Sequence, residues 1–145
     1  LSEITNECIE SIRTRVDFKS NPVKIHFTCD SDVQAKVNRD EIKEVFNNLI
    51  LNAFHALLET KNSEKEIWID IRNDAGIVEM IVRDNGPGIP RAYRSRIFDP
   101  FFTTKSGGTG LGLAQVDRII REHEGHVDVE TEEGSGTSLK IRLPA

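Results

Sequence analysis

Residues 99–114 read DPFFTTKSGGTGLGLA, with four glycines between Gly107 and Gly112. Glycine loses more backbone freedom on folding than any other residue, so such a run weakens a domain unless the backbone itself must meet something. It leads into LGLAQVDRIIREHEG (111–125), which has helical apolar spacing and stops at Gly125, the expected left-handed C-cap. A glycine-rich loop entering a helix brings unpaired N–H groups and the positive end of the helix dipole to one spot, an arrangement suited to phosphate. The spacing Gly108-x-Gly110-x-Gly112 is not a dinucleotide fingerprint: no third glycine follows at the required distance, and no clear strand precedes it. No Gly-Lys-Ser/Thr is present either, which excludes a Walker loop. Arg91, Arg94, Arg96 and Lys105 lie close by with only Asp99 opposing them, a local excess of cations in a chain of net charge −5. A polyphosphate is the obvious anion; a solvated basic loop is the alternative.

Working outward, the 145 residues suggest one domain, 37% hydrophobic and 30% charged, as in a soluble globular protein. The acidic balance disfavours nucleic acid and anionic membranes as partners. Cys8 and Cys29 form no CxxC pair and read as free thiols in a reducing compartment. No apolar run approaches the roughly 20 residues of a membrane span, and no signal-peptide pattern opens the chain. It begins inside an apparent helix, which suggests a piece of a longer protein.

Apolar residues at Leu1, Ile4, Cys8, Ile9, Ile12 and Val16 predict a helix over 1–16. After the Asn21–Pro22 break, VKIHFTC (23–29) alternates as a strand. Asn38 or Asp40 can cap the next helix, with Glu41 placed for a capping box on Asn38, and that helix runs to about Glu59. IWIDIRN (67–73) and IVEMIVRD (77–84) predict a hairpin, HVDVET (126–131) and TSLKIRL (137–143) a second, with a short helix near 91–97. Hairpins with segregated helices predict an α+β fold: one mixed, mostly antiparallel sheet of five or six strands covered on one face by about three helices.

The helix DEIKEVFNNLILNAFHALL (40–58) carries one apolar arc through Ile42, Val45, Phe46, Leu49, Ile50, Ala53 and Leu57. Asn48 and Asn52 fall about 40° apart at the edge of that arc, while Asn47 points away. Asparagine is a mediocre helix former. Two at this edge are either polar residues satisfied at a helix border or amides facing a cleft, where the oxygen suits a hard cation and the NH₂ suits phosphate or ribose. RDNGPGIP (83–90) leaves a strand and turns sharply, with Gly86 and Gly88 permitting positive φ and Pro87 and Pro90 stiffening the turn. Asp84 at the strand end is either an Asx-turn or a buried acceptor suited to an exocyclic amine such as the adenine N6 group.

The order of these elements is more specific than any one of them. Asn48…Asn52 on a helix, DNGPGIP, FDPFFTTK, GTGLGLA and GSGT resembles, over about residues 35–143, the nucleotide-binding domain of sensor histidine kinases: N box, first glycine box, F box, second glycine box and last glycine turn. The wording IFDPFFTTKSGGTGLGLA looks most like the nitrogen-regulation branch. The resemblance implies the Bergerat fold, a two-layer α/β sandwich shared with gyrase, mismatch-repair and chaperone ATPases, with residues 1–145 as one catalytic and ATP-binding domain.

It further implies ATP and Mg²⁺ as ligands. Asn52 would give an amide oxygen to Mg²⁺, with Asn48 helping to hold metal or phosphate. Asp84 would accept from the adenine amine, in a base pocket shaped by Gly86, Gly88 and Ile89. Residues 98–109 would be a mobile lid with Phe98, Phe101 and Phe102 near its hinge. Thr103, Thr104, Thr109, Leu111 and Leu113 would add nucleotide contacts, and Gly108, Gly110 and Gly112 would let backbone amides meet phosphate. Lys105 and Arg96 are the candidates for the γ-phosphate end. Gly134 and Gly136 would support the pocket, with Thr137 against the base.

Two departures stand out. The lysine that many members carry three residues after the metal asparagine is His55 here, either a phosphate contact or a helix-edge histidine. The family's phosphoacceptor histidine precedes an acidic residue on a separate helical hairpin; the only His-acid pair here is His123-Glu124, and His123 and His126 read as surface residues. The acceptor domain is therefore expected elsewhere. Members that hydrolyse ATP resemble one another in placing a glutamate four residues before the metal asparagine as base for water. That position is Asn48, whose amide cannot take a proton near neutral pH, and Glu44 lies two turns back from Asn52.

The expected function is thus γ-phosphoryl transfer from ATP to a histidine on the kinase's own dimerisation domain, with a response regulator downstream. A nucleotide-gated interaction module and an anti-sigma-type serine kinase are the alternatives. The domain is expected to be a cytoplasmic monomer that neither enters a membrane nor binds nucleic acid, and not to autophosphorylate alone.

Overall fold

Strand alternation decides where the helices sit. Along β3 (Ile77–Asp84) the residues Val78, Met80, Val82 and Asp84 are buried, and along β5 (Gly136–Pro144) so are Thr137, Leu139, Ile141 and Leu143. These rows face the helices. The computed structural model describes residues 1–31, 33–104 and 108–145. The order is α1 (Ser2–Arg13), α2 (Val16–Ser20), β1 (Lys24–Cys29), α3 (Arg39–Leu58), β2 (Glu66–Asp74), β3, a 3-10 turn (Arg91–Arg96), α4 (Gly112–Glu122), β4 (His126–Glu132) and β5. The described strands make one sheet in the order β1-β2-β3-β5-β4, parallel only between β1 and β2. This is the expected α+β two-layer sandwich.

α3 is the central helix. Its whole apolar arc is buried, with Phe54 added to the residues the periodicity picks out. Val116, Ile119 and Ile120 of α4 and Ile4, Cys8, Ile9 and Ile12 of α1 join the same core. Cys8 and Cys29 are unpaired, and burial pushes the Cys8 thiol up to about 11. On the opposite face of the sheet, Trp68 lies between the His26 ring, stacked at 5.5 Å, and the Arg83 guanidinium at 4.4 Å. Glu79 there bridges Arg72 and Arg142.

Four local expectations need correction. The first helix breaks at Thr14–Arg15 and resumes as α2, rather than running through residue 16. Asn38 caps α3 by accepting from the N–H groups of Asp40 and Glu41, but no reciprocal capping box forms. The Asn38 N–H donates instead to His123 Nε2 at 3.1 Å. An N–H can only donate, so Nε2 is unprotonated and His123 Nδ1–H donates to the Ile119 carbonyl at 2.8 Å. His123 is therefore no surface residue: its side chain is 11% exposed and clasps the end of α4 to the start of α3, while His126 is exposed as expected. The left-handed residue after α4 is Glu124 (φ 59), not Gly125; glycine is needed at 125 because a Cβ would press on Leu143 and the Arg142 carbonyl.

Candidate functional site

The buried rows of β3 and β5 end in polar residues. Asp84 is directly opposite Thr137 in the register, and both are largely buried at 4% and 7% exposure. Apolar core thus gives way to a carboxylate and a hydroxyl at one end of the sheet, under the second half of α3. A cleft of about 670 Å³ opens there. Asn48, Asn52 and His55 line it from successive turns of α3, with Leu51, Ala56 and Glu59 completing that wall. Asp84 and Thr137 form the floor, Gly88 and Ile89 one side, and Phe102, Thr103, Thr104, Gly108, Thr109 and Gly110 the roots of the lid. Gly112 and Leu113 close the far wall.

The turn after β3 is held from the neighbouring hairpin. Gly86 N–H donates to Asp84 Oδ1 at 2.9 Å, the Ile89 N–H to Thr131 Oγ1 at 2.9 Å, and the Gly134 N–H to the Pro87 carbonyl at 2.7 Å. The Thr131 and Thr137 hydroxyls are 3.0 Å apart. Gly136 adopts φ +114, and a Cβ there would collide with the Asp84 carbonyl, so only glycine lets the β4–β5 turn approach this closely. Of the two glycines that permit positive φ in this turn, Gly88 adopts it and Gly86 does not.

The far wall is the start of α4. Its N-cap residue Leu111 offers no side-chain cap among the described residues, and Gly112 and Leu113 bring the first turn and the positive end of its dipole to the cleft. A Cβ on Gly112 would come within 3.2 Å of Asn48 Oδ1, which measures how closely α4 approaches the asparagine turn of α3.

The described lid roots meet at Phe101 and Gly110. The Phe101 N–H donates to the Gly110 carbonyl at 3.0 Å, with Phe101 at φ 66 and Gly110 at φ +72. The Phe101 ring is 76% exposed, whereas Phe98 packs against the core. Phe102 contacts Tyr93 at 5.6 Å and lies under the Arg96 guanidinium at 4.5 Å.

Most sequence-chosen residues therefore converge on one cleft. Arg96 stands beside it, on the Phe102 ring, rather than in its wall; Gly86 lies behind Asp84; Leu111 is exposed at the lid root. Lys105 lies outside the described residues. Sequence reasoning missed Glu59, Tyr93 and Glu133, all of which line the cleft. Glu59 was within reach, since Asn52, His55, Ala56 and Glu59 follow one helical stripe. Glu133 was not, because only the packing of the β4–β5 turn brings it there.

This fold and cleft define a class. Residues 37–145 match the family described as histidine kinase-, DNA gyrase B- and HSP90-like ATPases, and the chain belongs to it as a Bergerat-fold, histidine-kinase-type ATP-binding domain. Among its relatives, the sensor histidine kinase ZraS of Klebsiella oxytoca is 33% identical over 146 residues, covering 99% of this chain and 30% of that protein. The sensory histidine kinase/phosphatase NtrB of Rhizobium leguminosarum bv. phaseoli is 38% identical over 120 residues, covering 74% of this chain and 31% of that protein. The chain thus spans less than a third of either. The catalytic domain of histidine kinase ThkA, in a nucleotide-free form, superposes with a TM-score of 0.84 at 31% identity over 99% of this chain and 92% of that one. The chain has the ATP-binding and phosphotransfer fold of two-component signalling. No helix among the described residues is long and apolar enough to cross a membrane.

Proposed function

We propose that this domain binds ATP with Mg²⁺ and donates the γ-phosphoryl group to a histidine on the dimerisation domain of its own kinase, from which a response regulator is charged. The observation that carries this reading is Asn48: an amide sits one turn before Asn52 where a hydrolase of this family would need a carboxylate. The described carboxylates of the cleft are Glu59, Asp84 and Glu133, and none occupies that turn. Without a base for water at that turn, the cleft suits holding the nucleotide until an external acceptor arrives. The same observation disfavours the anti-sigma-type serine kinase.

The donor set fits Mg²⁺. No group of three or more His, Cys, Asp and Glu side chains among the described residues is placed to hold a metal. Asn52, with Asn48 beside it, would add only amide oxygens, and Mg²⁺ characteristically takes few protein ligands along with substrate phosphates. When bound, it supplies charge neutralisation for the transferring group. Asp84 would accept from the adenine amine, with Gly86, Gly88, Ile89 and Thr137 shaping the base site. His55 would contact phosphate from α3. The first turn of α4 and the lid residues Thr103, Thr104, Lys105 and Gly108–Gly110 would enclose the phosphates and exclude water. Arg96, stacked on Phe102, would act from the lid hinge. A cytoplasmic setting and a monomeric isolated domain complete the reading.

Radiolabelled ATP supplied with a matched acceptor domain tests it. Label on the acceptor histidine is expected. Mg²⁺-dependent nucleotide binding with no transfer to any acceptor would leave the nucleotide-gated interaction module as the surviving reading.

A further inference from the structure

Asn85 follows Asp84 directly but does not line the cleft. Its polar groups reach instead to the loop between α3 and β2 and to Glu66, the first residue of β2. Its side-chain Oδ1 accepts from the Glu66 N–H at 2.9 Å, and its Nδ2 donates to the Glu64 carbonyl at 2.8 Å. Its backbone N–H donates to the Glu66 carbonyl at 3.4 Å, and its own carbonyl accepts from Asn62 Nδ2 at 3.0 Å. The β2–β3 register ends at Ile67 opposite Asp84. Beyond that pair, the Asn85 amide does the work of another strand residue, accepting from one backbone group and donating to the next.

On the β5 flank the carboxylate-bearing turn is pressed by Gly136. On the β2 flank Asn85 carries the attachment past the end of the ladder. Between these two restraints, Gly86 N–H fixes Asp84 Oδ1 at 2.9 Å. A carboxylate that must meet a single amine hydrogen tolerates little displacement, because hydrogen bonds weaken steeply with angle and distance.

We propose that Asn85 is a positioning residue for base recognition: by tying the turn to residues 62–66 it holds Asp84 where it meets an exocyclic amine, and so sets purine selectivity. This rests on reading Asp84 as the acceptor of that amine. A purely structural Asn85 would lower stability without changing which purine is preferred.

The test compares the affinity of the 145-residue chain for ATP with its affinity for purine riboside triphosphate, which lacks only the 6-amino group, both titrated calorimetrically with Mg²⁺. The unsubstituted chain is expected to favour ATP by about tenfold or more, since a site built for a hydrogen bond rejects an analogue that cannot make it. Asn85→Ala should narrow that preference by roughly fivefold, with affinity for the amine-free nucleotide nearly unchanged. Asn85→Asp keeps the acceptor for Glu66 and loses the donor to Glu64, so its preference should fall between. Asn62→Ala removes one bond from an exposed side chain and should narrow the preference less; it carries the test alone if Asn85→Ala fails to fold. Thermal melts run alongside separate lost stability from lost selectivity. Equal affinities in the unsubstituted chain would overturn the Asp84 reading and the proposal with it. A preference for ATP kept intact in the folded Asn85 and Asn62 variants would overturn the proposal alone.

Discussion

The turn after β3 and the lid after Phe98 both carry glycines to the same cleft, yet they are built differently. The turn is bonded on both flanks, to residues 62–66 through Asn85 and to the β4–β5 hairpin through Pro87 and Ile89, with Gly136 of that hairpin lying close against the Asp84 carbonyl. The described lid roots are joined by the Phe101 N–H to Gly110 carbonyl bond, beside an exposed phenylalanine ring. Loops with few buried contacts open at low free energy, and those with many do so only with the whole fold. The base end of the cleft is thus held from two flanks, whereas the described lid roots are held by the Phe101–Gly110 bond and by Phe102 against Tyr93 and Arg96.

Matched glycine-to-alanine changes are the sharpest way to break that comparison. Gly136→Ala forces a Cβ onto the Asp84 carbonyl at φ +114, so a loss of about 3 kcal/mol or more in chemical denaturation is expected. A loss below about 1 kcal/mol would mean that the turn is not rigidly clamped. Asn52→Ala, between the two regions, should leave the melting temperature almost unchanged and weaken nucleotide binding about tenfold in Mg²⁺ but little in chelator. Gly110→Ala meets the Phe101 backbone at φ +72, a comparable local clash. It should cost only about 1 kcal/mol of stability while lowering ATP affinity several-fold, because the clash falls beside exposed Phe101 at the edge of the cleft rather than within the sheet. Equal destabilisation by the two glycine-to-alanine changes would mean that turn and lid root are held equally firmly.

The smallest effect is expected on the far face of the sheet. Hydrogen bonding to Arg72, and then to Arg142, holds the Glu79 carboxyl below its ordinary value against the opposing effect of partial burial. A lowered folded-state value stabilises the protein above the ordinary glutamate range, and that contribution fades as pH falls through the lowered value. Glu79→Gln should therefore cost about 1 kcal/mol at neutral pH and flatten the acid side of the stability profile, as read by urea melts across pH. Nucleotide affinity should not move, which makes this variant the control for the other three.

Much of the site was legible because its residues repeat with the period of their own element. Asn48, Asn52 and His55 sit at the edge of an apolar arc that can be drawn from residues 40–58 alone. Asp84 ends a strand whose alternation already points inward. Arg96 is placed differently: its charge suggests phosphate, and its guanidinium lies over the Phe102 ring beside the cleft, a contact that no local pattern indicates. Likewise, helical periodicity ran through Thr14–Arg15, where the chain breaks between α1 and α2.

By itself the sequence determined the helices, the hairpins, the two-layer arrangement and the family's ordered motifs, since periodicity and turn chemistry act over a few residues. Tertiary structure decided which groups answer one another across the chain. Asn38 left its capping box for His123, 85 positions away. Asn85 found its partners 19 to 23 positions back. Gly125, expected as the left-handed cap, is instead the residue that lets β5 approach, where a Cβ would meet Leu143 and the Arg142 carbonyl, while Glu124 takes the positive φ. These choices depend on which polar groups are left to be satisfied once the layers pack, and no local pattern records that.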